Sequence, residues 1–375
     1  MSRQGVGDGG WGMGGGWPFG PTTIPGQVPS PRQSVRRPQA GTIPHPLLFL
    51  PLALLWVAAP AAAAPPRLAP ISVRNEMPMS AAFLQLPPRD ARGLAAGAWS
   101  AAATLHMANM IMNESQGGVS MRMDMESETA RVALAYGASD RATVRATLGY
   151  RWHTGGVLDG FISSAEGRLG LPTPWSRRHT DRGETDWSIR EGGKTTFDVP
   201  DPTSGLTDLT TELAWRLTDV AGWRPATALR LGVKLPTAPT RDGLGSGGVD
   251  WGVGGLATWA GRRWATHLSG AVVWPTRHHG LAGTAFAATS PFATASATEV
   301  AAIGRRWEAS LSLAWRETPY HQQIDSILEA SSLEVALGVR YLGEGSALFF
   351  ALTENLLDKA SPDLGLLFGV EVGRW

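Results

Sequence analysis

Arg306-Trp307-Glu308-Ala309-Ser310-Leu311-Ser312-Leu313-Ala314-Trp315-Arg316-Glu317 is the stretch that decides the fold. Every second residue from Trp307 to Trp315 is apolar, and Glu308, Ser310, Ser312 and Arg316 fall on the alternate phase. A period of two puts the apolar set on one face of a β-strand and the polar set on the other. The two tryptophans stand eight residues apart at the strand ends. At ~3.3 Å per residue and a tilt of ~40°, eight residues rise roughly 20 Å, close to the spacing of the aromatic girdles that flank a membrane barrel's apolar band.

The same pattern recurs outward along the chain. Trp264, Leu268, Val272 and Trp274 oppose Ala265, His267 and Ser269. Leu333, Val335, Leu337, Val339 and Tyr341 oppose Glu334 and Arg340. Twelve strands are expected, near 97–112, 119–136, 141–153, 208–219, 225–235, 248–260, 263–274, 295–304, 306–317, 332–342, 346–354 and 363–375. A soluble sandwich would alternate too. These strands, however, reach the 9–11 residues a tilted membrane strand needs, and short turns alternate with long loops. The expected fold is therefore an all-β, transmembrane, up-and-down antiparallel barrel of about twelve strands. Residues 157–169 read as one short amphipathic helix in the longest outer loop, either a lumen plug or a rim cap.

Composition agrees. The chain has 375 residues, with 46 Gly, 16 Trp and only 4 Tyr. Having no cysteine excludes disulfide scaffolds and thiolate chemistry, and 33 basic against 32 acidic side chains exclude a broad nucleic-acid surface. Trp251, Trp259, Trp264, Trp274, Trp307, Trp315 and the C-terminal Trp375 are the expected membrane-interface residues. The apolar positions before Trp375 are one residue out of phase with it, which a bulge near Gly373 would absorb.

The expected domains are a low-complexity leader over 1–34, with translation starting nearer Val35, a signal peptide over 35–63, an N-terminal periplasmic segment over 64–96 and the barrel over 97–375. Arg36-Arg37, the apolar run from Leu47 to Ala59 and the Ala61–Ala64 cleavage site are the parts of a secretory signal.

The inward face carries Arg131, Arg145, Arg151, Glu212, Arg216, Arg230, Lys234, Glu308, Arg316, Glu334, Arg340 and Glu371, the expected lumen-lining or binding residues. They read as an ionic network filling the interior, as a net basic path for anions, or as both. Inward glycines (Gly149, Gly232, Gly252, Gly254, Gly338, Gly369) are expected to make room for the arginines. On strand two, Asp124, Glu126 and Glu128 fall on the lipid-facing phase, so 119–128 should stand above the membrane or a bulge should reset the phase. Gly243–Gly248 reads as a flexible outer loop, and His278-His279 as surface. No catalytic motif, metal site or cofactor is expected.

Gly155-Gly156-Val157-Leu158-Asp159-Gly160-Phe161-Ile162, Gly170-Leu171-Pro172, Glu354-Asn355-Leu356-Leu357 and Ser361-Pro362-Asp363-Leu364-Gly365 resemble stretches of the domain-of-unknown-function 3187 family of outer-membrane β-barrel proteins. Arg74-Asn75 and Leu86-Pro87-Pro88-Arg89-Asp90-Ala91 fit as well. Lys234-Leu235-Pro236-Thr237 with Gly243–Gly247 is similar to a loop of outer-membrane transporters from aromatic-degradation operons. The resemblance implies a barrel and a bacterial outer-membrane location, and no catalytic residue. The expected function is a narrow channel or uptake protein for small solutes, organic anions among them. Alternatives are a structural or surface-interaction barrel with a plugged lumen and, third, an outer-membrane hydrolase. The expected partners are outer-membrane lipid and lipopolysaccharide, the barrel-assembly machinery and a small solute; the barrel itself is expected to be a monomer.

Overall fold

A computed structural model describes residues 67–156, 158, 185–199, 201–320, 331–357 and 360–374. The leader, the signal peptide, residues 157–169 apart from Leu158, and Trp375 lie outside the described residues. One helical turn, α1 (Pro78–Ala81), precedes β1 (Trp99–Gln116), β2 (Val119–Gly137) and β3 (Ala142–Thr154). Three short strands follow: β4 (Asp186–Glu191), β5 (Lys194–Val199) and β6 (Thr203–Leu206). Then come β7 (Leu209–Thr218), β8 (Ala226–Leu235), β9 (Asp250–Ala260), β10 (Trp264–Trp274) and β11 (Phe292–Ala302). The chain ends with β12 (Trp307–Arg316), β13 (Ser332–Gly343), β14 (Ser346–Asn355) and β15 (Leu364–Arg374).

β1–β3 and β7–β15 form a closed antiparallel barrel of twelve strands. β15 closes on β1, from Trp99↔Arg374 to Asn109↔Leu364. Closure leaves the barrel wall no edge strand, the condition for crossing hydrocarbon with strands. The outward phase carries Val132, Leu134, Leu229, Leu231, Leu311, Leu337 and many similar side chains, each exposed. An apolar surface running round the whole wall needs lipid against it.

Five details refine or depart from the sequence reading. The 154–207 loop contains β4–β6. The β1–β2 hairpin is long, and β4 covers its free edge by pairing 119–124 with 186–191. β3 pairs β7 over 142–147 and then β6 over 150–153. No bulge resets strand two: its ladder with β1 runs unshifted from Trp99↔Tyr136 to Gln116↔Val119. Asp124, Glu126 and Glu128 stay on the outward phase yet are buried, and Glu126 accepts the Leu158 N–H. No bulge forms at Gly373 either, since β15 stays in register with β1 through Arg374.

Candidate functional site

The largest departure is residues 67–96. They were expected in the periplasm; they run through the barrel instead. The segment rises from the short-turn end, turns at α1 near the long-loop end, and descends to Gly97 and β1. Its physical reason is apolar content: Ile71, Met77, Met79, Phe83, Leu84 and Leu86 are all buried, and a solvated linker would leave them in water.

This hairpin has no ladder partner in the wall, so its backbone groups are satisfied by side chains. On the rising leg, Leu68 N–H donates to Glu308 Oε1 (2.7 Å), and Arg340 donates to the Ala69 carbonyl (2.6 Å). His267 Nε2 lies 2.8 Å from the Leu68 carbonyl. On the falling leg, Leu84 N–H donates to Asp250 (2.9 Å), and Arg230 donates to the Pro87 (2.6 Å) and Leu86 (3.0 Å) carbonyls. Ala91 N–H donates to Thr258 Oγ1 and Leu94 N–H to Thr143 Oγ1, both at 2.9 Å. The legs are stapled to each other: Asn75 N–H donates to Gln85 Oε1 (2.9 Å), and Gln85 Nε2 donates to the Asn75 carbonyl (2.7 Å).

Glu76 is the central latch. It is fully buried, and Arg131 donates to both its oxygens (2.6 and 2.7 Å). Arg151 Nη2 (3.3 Å), Thr129 Oγ1 (3.0 Å) and His106 Nδ1 (3.0 Å) complete the shell. Two parallel N–H···O bonds to one carboxylate are the strong form of this contact.

The remaining inward residues fall into two levels. Glu212 meets Arg89 (3.4 Å) and Arg230 (3.8 Å), and Glu371 meets Arg67 (2.6 Å). Arg216 lies at the short-turn end, bonded to Asp219 and to the Asp140 and Arg92 carbonyls. Toward the long loops, Arg316 stacks over Phe292 (4.5 Å), with buried Glu334 in electrostatic reach. Arg145 borders a cavity described below. The inward glycines make room for the hairpin as well: a Cβ on Gly232 would lie 2.5 Å from Leu86 Cδ2, and one on Gly338 2.6 Å from Ile71 Cδ1.

The long-loop end is closed by apolar packing. Met77, Met79, Phe83 and Leu84 meet Met110, Met121, Met123 and Met125 of the wall, with Trp187, Phe286, Phe292 and Tyr320 in the same cluster. The glycine-rich loop, expected to be free, is largely buried: Lys234 Nζ donates to Ser246 Oγ (2.7 Å), the Gly248 carbonyl (3.0 Å) and Asp208 (2.7 Å), and Trp187 lies over Gly243. His278, expected on the surface, is buried against Phe83 (5.5 Å) and Tyr320 (6.5 Å). Burial, helped by the Lys234 charge, pushes its imidazole down to about 3, so it is neutral. Burial likewise raises the Tyr320 phenol, whose hydroxyl donates to the Met79 carbonyl (2.8 Å).

On the outer face, Trp251, Trp274 and Trp315 stand at the long-loop ends of their strands, and Trp259, Trp264 and Trp307 at the short-turn ends. Trp251 and Trp274 are directly opposed and stacked, 4.3 Å between centroids, and Trp307 meets Tyr341 edge-on at 5.1 Å.

Nothing in the strand pattern announced the hairpin. The available signals were its large apolar residues, unusual for a tether, and an inward face with more cations than carboxylates.

The COG4313 outer membrane channel from Pseudomonas putida F1 is similar in structure, at 14% identity and a TM-score of 0.49, over 77% of this chain and 100% of that one. The NanC porin is similar at 7% identity and 0.41, over 74% of this chain and 99% of that one. The translocator domain of the autotransporter NalP from Neisseria meningitidis is similar at 12% identity and 0.34, over 75% and 90%. No curated relative matches the chain. A family model does, over residues 47–373, and the chain thereby belongs to the family described as protein of unknown function DUF3187.

Proposed function

We propose that the protein is a gated outer-membrane channel or uptake barrel for small solutes, and that residues 67–96 are its gate. The observation that carries this reading is the hairpin in the lumen, held by side chains rather than by a sheet ladder. A segment held this way can leave while the closed wall stays intact. The lumen it would vacate is rich in arginine, which favours organic anions. In this reading the short turns face the periplasm, the long loops face outward, and Trp251, Trp259, Trp264, Trp274, Trp307 and Trp315 sit at the two membrane interfaces. Lipid, lipopolysaccharide and the barrel-assembly machinery are its partners, and the edgeless wall suits a monomer. The hydrolase reading would need a His–Ser pair on the outer face of the wall, whereas His153 and His267 sit on the inward phase and are buried.

One observation favours the second reading, a permanently plugged structural barrel: Glu76 is saturated with donors. Planar-bilayer recording separates the two. A gated channel gives small currents as wild type and larger, anion-selective currents when residues 67–92 are deleted or when Glu76→Gln loosens the latch. Silence from both variants, each shown folded by heat-shifted gel mobility, would leave the plugged structural barrel.

A further inference from the structure

Between the hairpin and the wall, in the short-turn half, lies a cavity of about 290 Å³. Its charges can be matched one by one. Arg67 pairs with Glu371 (2.6 Å), Arg89 with Glu212 (3.4 Å) and Arg92 with Asp90 (2.5 Å). Arg131 pairs with Glu76 (2.6 Å) and Arg340 with Glu308 (3.0 Å). Two guanidiniums remain. Arg74, on the rising leg, has a single hydrogen bond, from Nη1 to the Gln85 carbonyl (3.2 Å). Arg145, on β3, makes no hydrogen bond and no ion pair among the described residues, and it faces the cavity.

We propose that this cavity binds a small organic dianion, a dicarboxylate, held between Arg74 and Arg145. Both guanidiniums are half-buried and neither has an ion-pair partner of its own, the nearby carboxylates being spent on other arginines, so two negative charges in the cavity would complete the pairing. The two stand on different elements, Arg74 on the hairpin and Arg145 on β3, and both line the cavity together with the Arg89–Glu212 pair. Two separated carboxylates match that layout better than one compact anion. Each guanidinium offers the planar fork that a carboxylate takes in bidentate fashion. Thr104 and Thr147 add hydroxyls, while Ala102, Ala133 and Ala214 leave the space open. The volume is at the small end of ligand pockets (about 300–1,000 Å³), which suits a short chain.

The site deepens the transport reading and rests on it for its purpose, yet its test needs no transport. Succinate is titrated calorimetrically into the folded, detergent-solubilised full chain, with succinamide and inorganic phosphate as comparison probes. Saturable succinate binding, at least tenfold weaker in Arg145→Ala and in Arg74→Ala and partly recovered in Arg145→Lys, supports the site; succinamide should not bind. Variants are compared only where circular dichroism matches wild type. Unchanged succinate affinity in both alanine variants, or binding of phosphate but not succinate, would overturn the proposal. Binding without conductance would sink the channel reading and leave the site standing; conductance without binding would do the reverse.

Discussion

The two halves of the lumen are filled by different physics. In the short-turn half the hairpin is held by directional bonds from Arg230, Arg340 and Glu308 to its backbone, and a cavity remains beside it. In the long-loop half it is held mainly by burial among methionines and aromatic rings, with a few bonds added, such as that from the Tyr320 hydroxyl to the Met79 carbonyl. Met110 opposes Met125 and Met112 opposes Met123 across the β1–β2 ladder, and they pack in one cluster with Met77 and Met79 of the hairpin. Methionine is unbranched and adapts to irregular gaps, so such a layer can re-form around different occupants. In the proposed channel, a solute arriving from the long-loop side would meet this apolar layer first and the polar half second. The seal and the latch are thus separable, and each can be broken alone.

The largest effect is expected at the latch. Glu76→Ala leaves Arg131, Arg151 and His106 facing an empty place, and removing one partner of a buried charge cluster costs about 3–5 kcal/mol. Hydrogen exchange of residues 67–96 should then accelerate by about two to three orders of magnitude, at about tenfold per 1.4 kcal/mol. Exchange in β8–β13 should hardly change. If the seal rather than the latch held the hairpin, Glu76→Ala would leave exchange near α1 as slow as before.

The seal should respond to pH where the latch does not need to. Closed His278 does not take a proton until about pH 3, whereas an opened one, free of burial, titrates near its ordinary value of about 6.5. The opened state therefore binds more protons between those limits, and the closed seal loses stability as pH falls below about 6.5. At pH 5 the loss is about 2 kcal/mol. Protection of residues 275–291, with each rate divided by the intrinsic exchange rate at its own pH, should fall by roughly an order of magnitude between pH 7 and pH 5, and His278→Phe should flatten that slope.

How much of this was legible depended on which polymer rule the residues obeyed. The wall was readable because alternation is local: Trp307 to Trp315 shows its two faces without knowledge of any partner. β10, expected at 263–274, is Trp264–Trp274. The hairpin was not readable because its backbone partners in the wall are distant in sequence, from 49 residues for Leu94 and Thr143 to 271 for Ala69 and Arg340, and its own sequence has no period. β4 and β5 were legible in principle, since Trp187 and Ile189 alternate with polar residues before a Gly192-Gly193 turn. Their shortness hid them inside a loop. Arg145 and Arg230 look alike in sequence, both inward on a strand. Only the path of the hairpin decides that Arg230 meets carbonyls and that Arg145 meets a cavity.

The smallest effect lies outside the lumen and tests whether the two halves share a common frame. Trp251 and Trp274 stack across β9 and β10 at the long-loop end, on the opposite face of the wall from Asp250 and Val273. Asp250 in turn accepts the Leu84 N–H of the hairpin. Trp251→Ala removes a ring pair worth about 0.5–1.5 kcal/mol beyond its area. If the wall is the rigid frame, unfolding in lipid should shift by about that amount while exchange of residues 67–96 stays unchanged. If the strand end moves with the seal, exchange at Leu84 should rise together with the loss of stability. The first result keeps the seal a property of the inward face alone. The second would make the membrane-facing stack part of the gate.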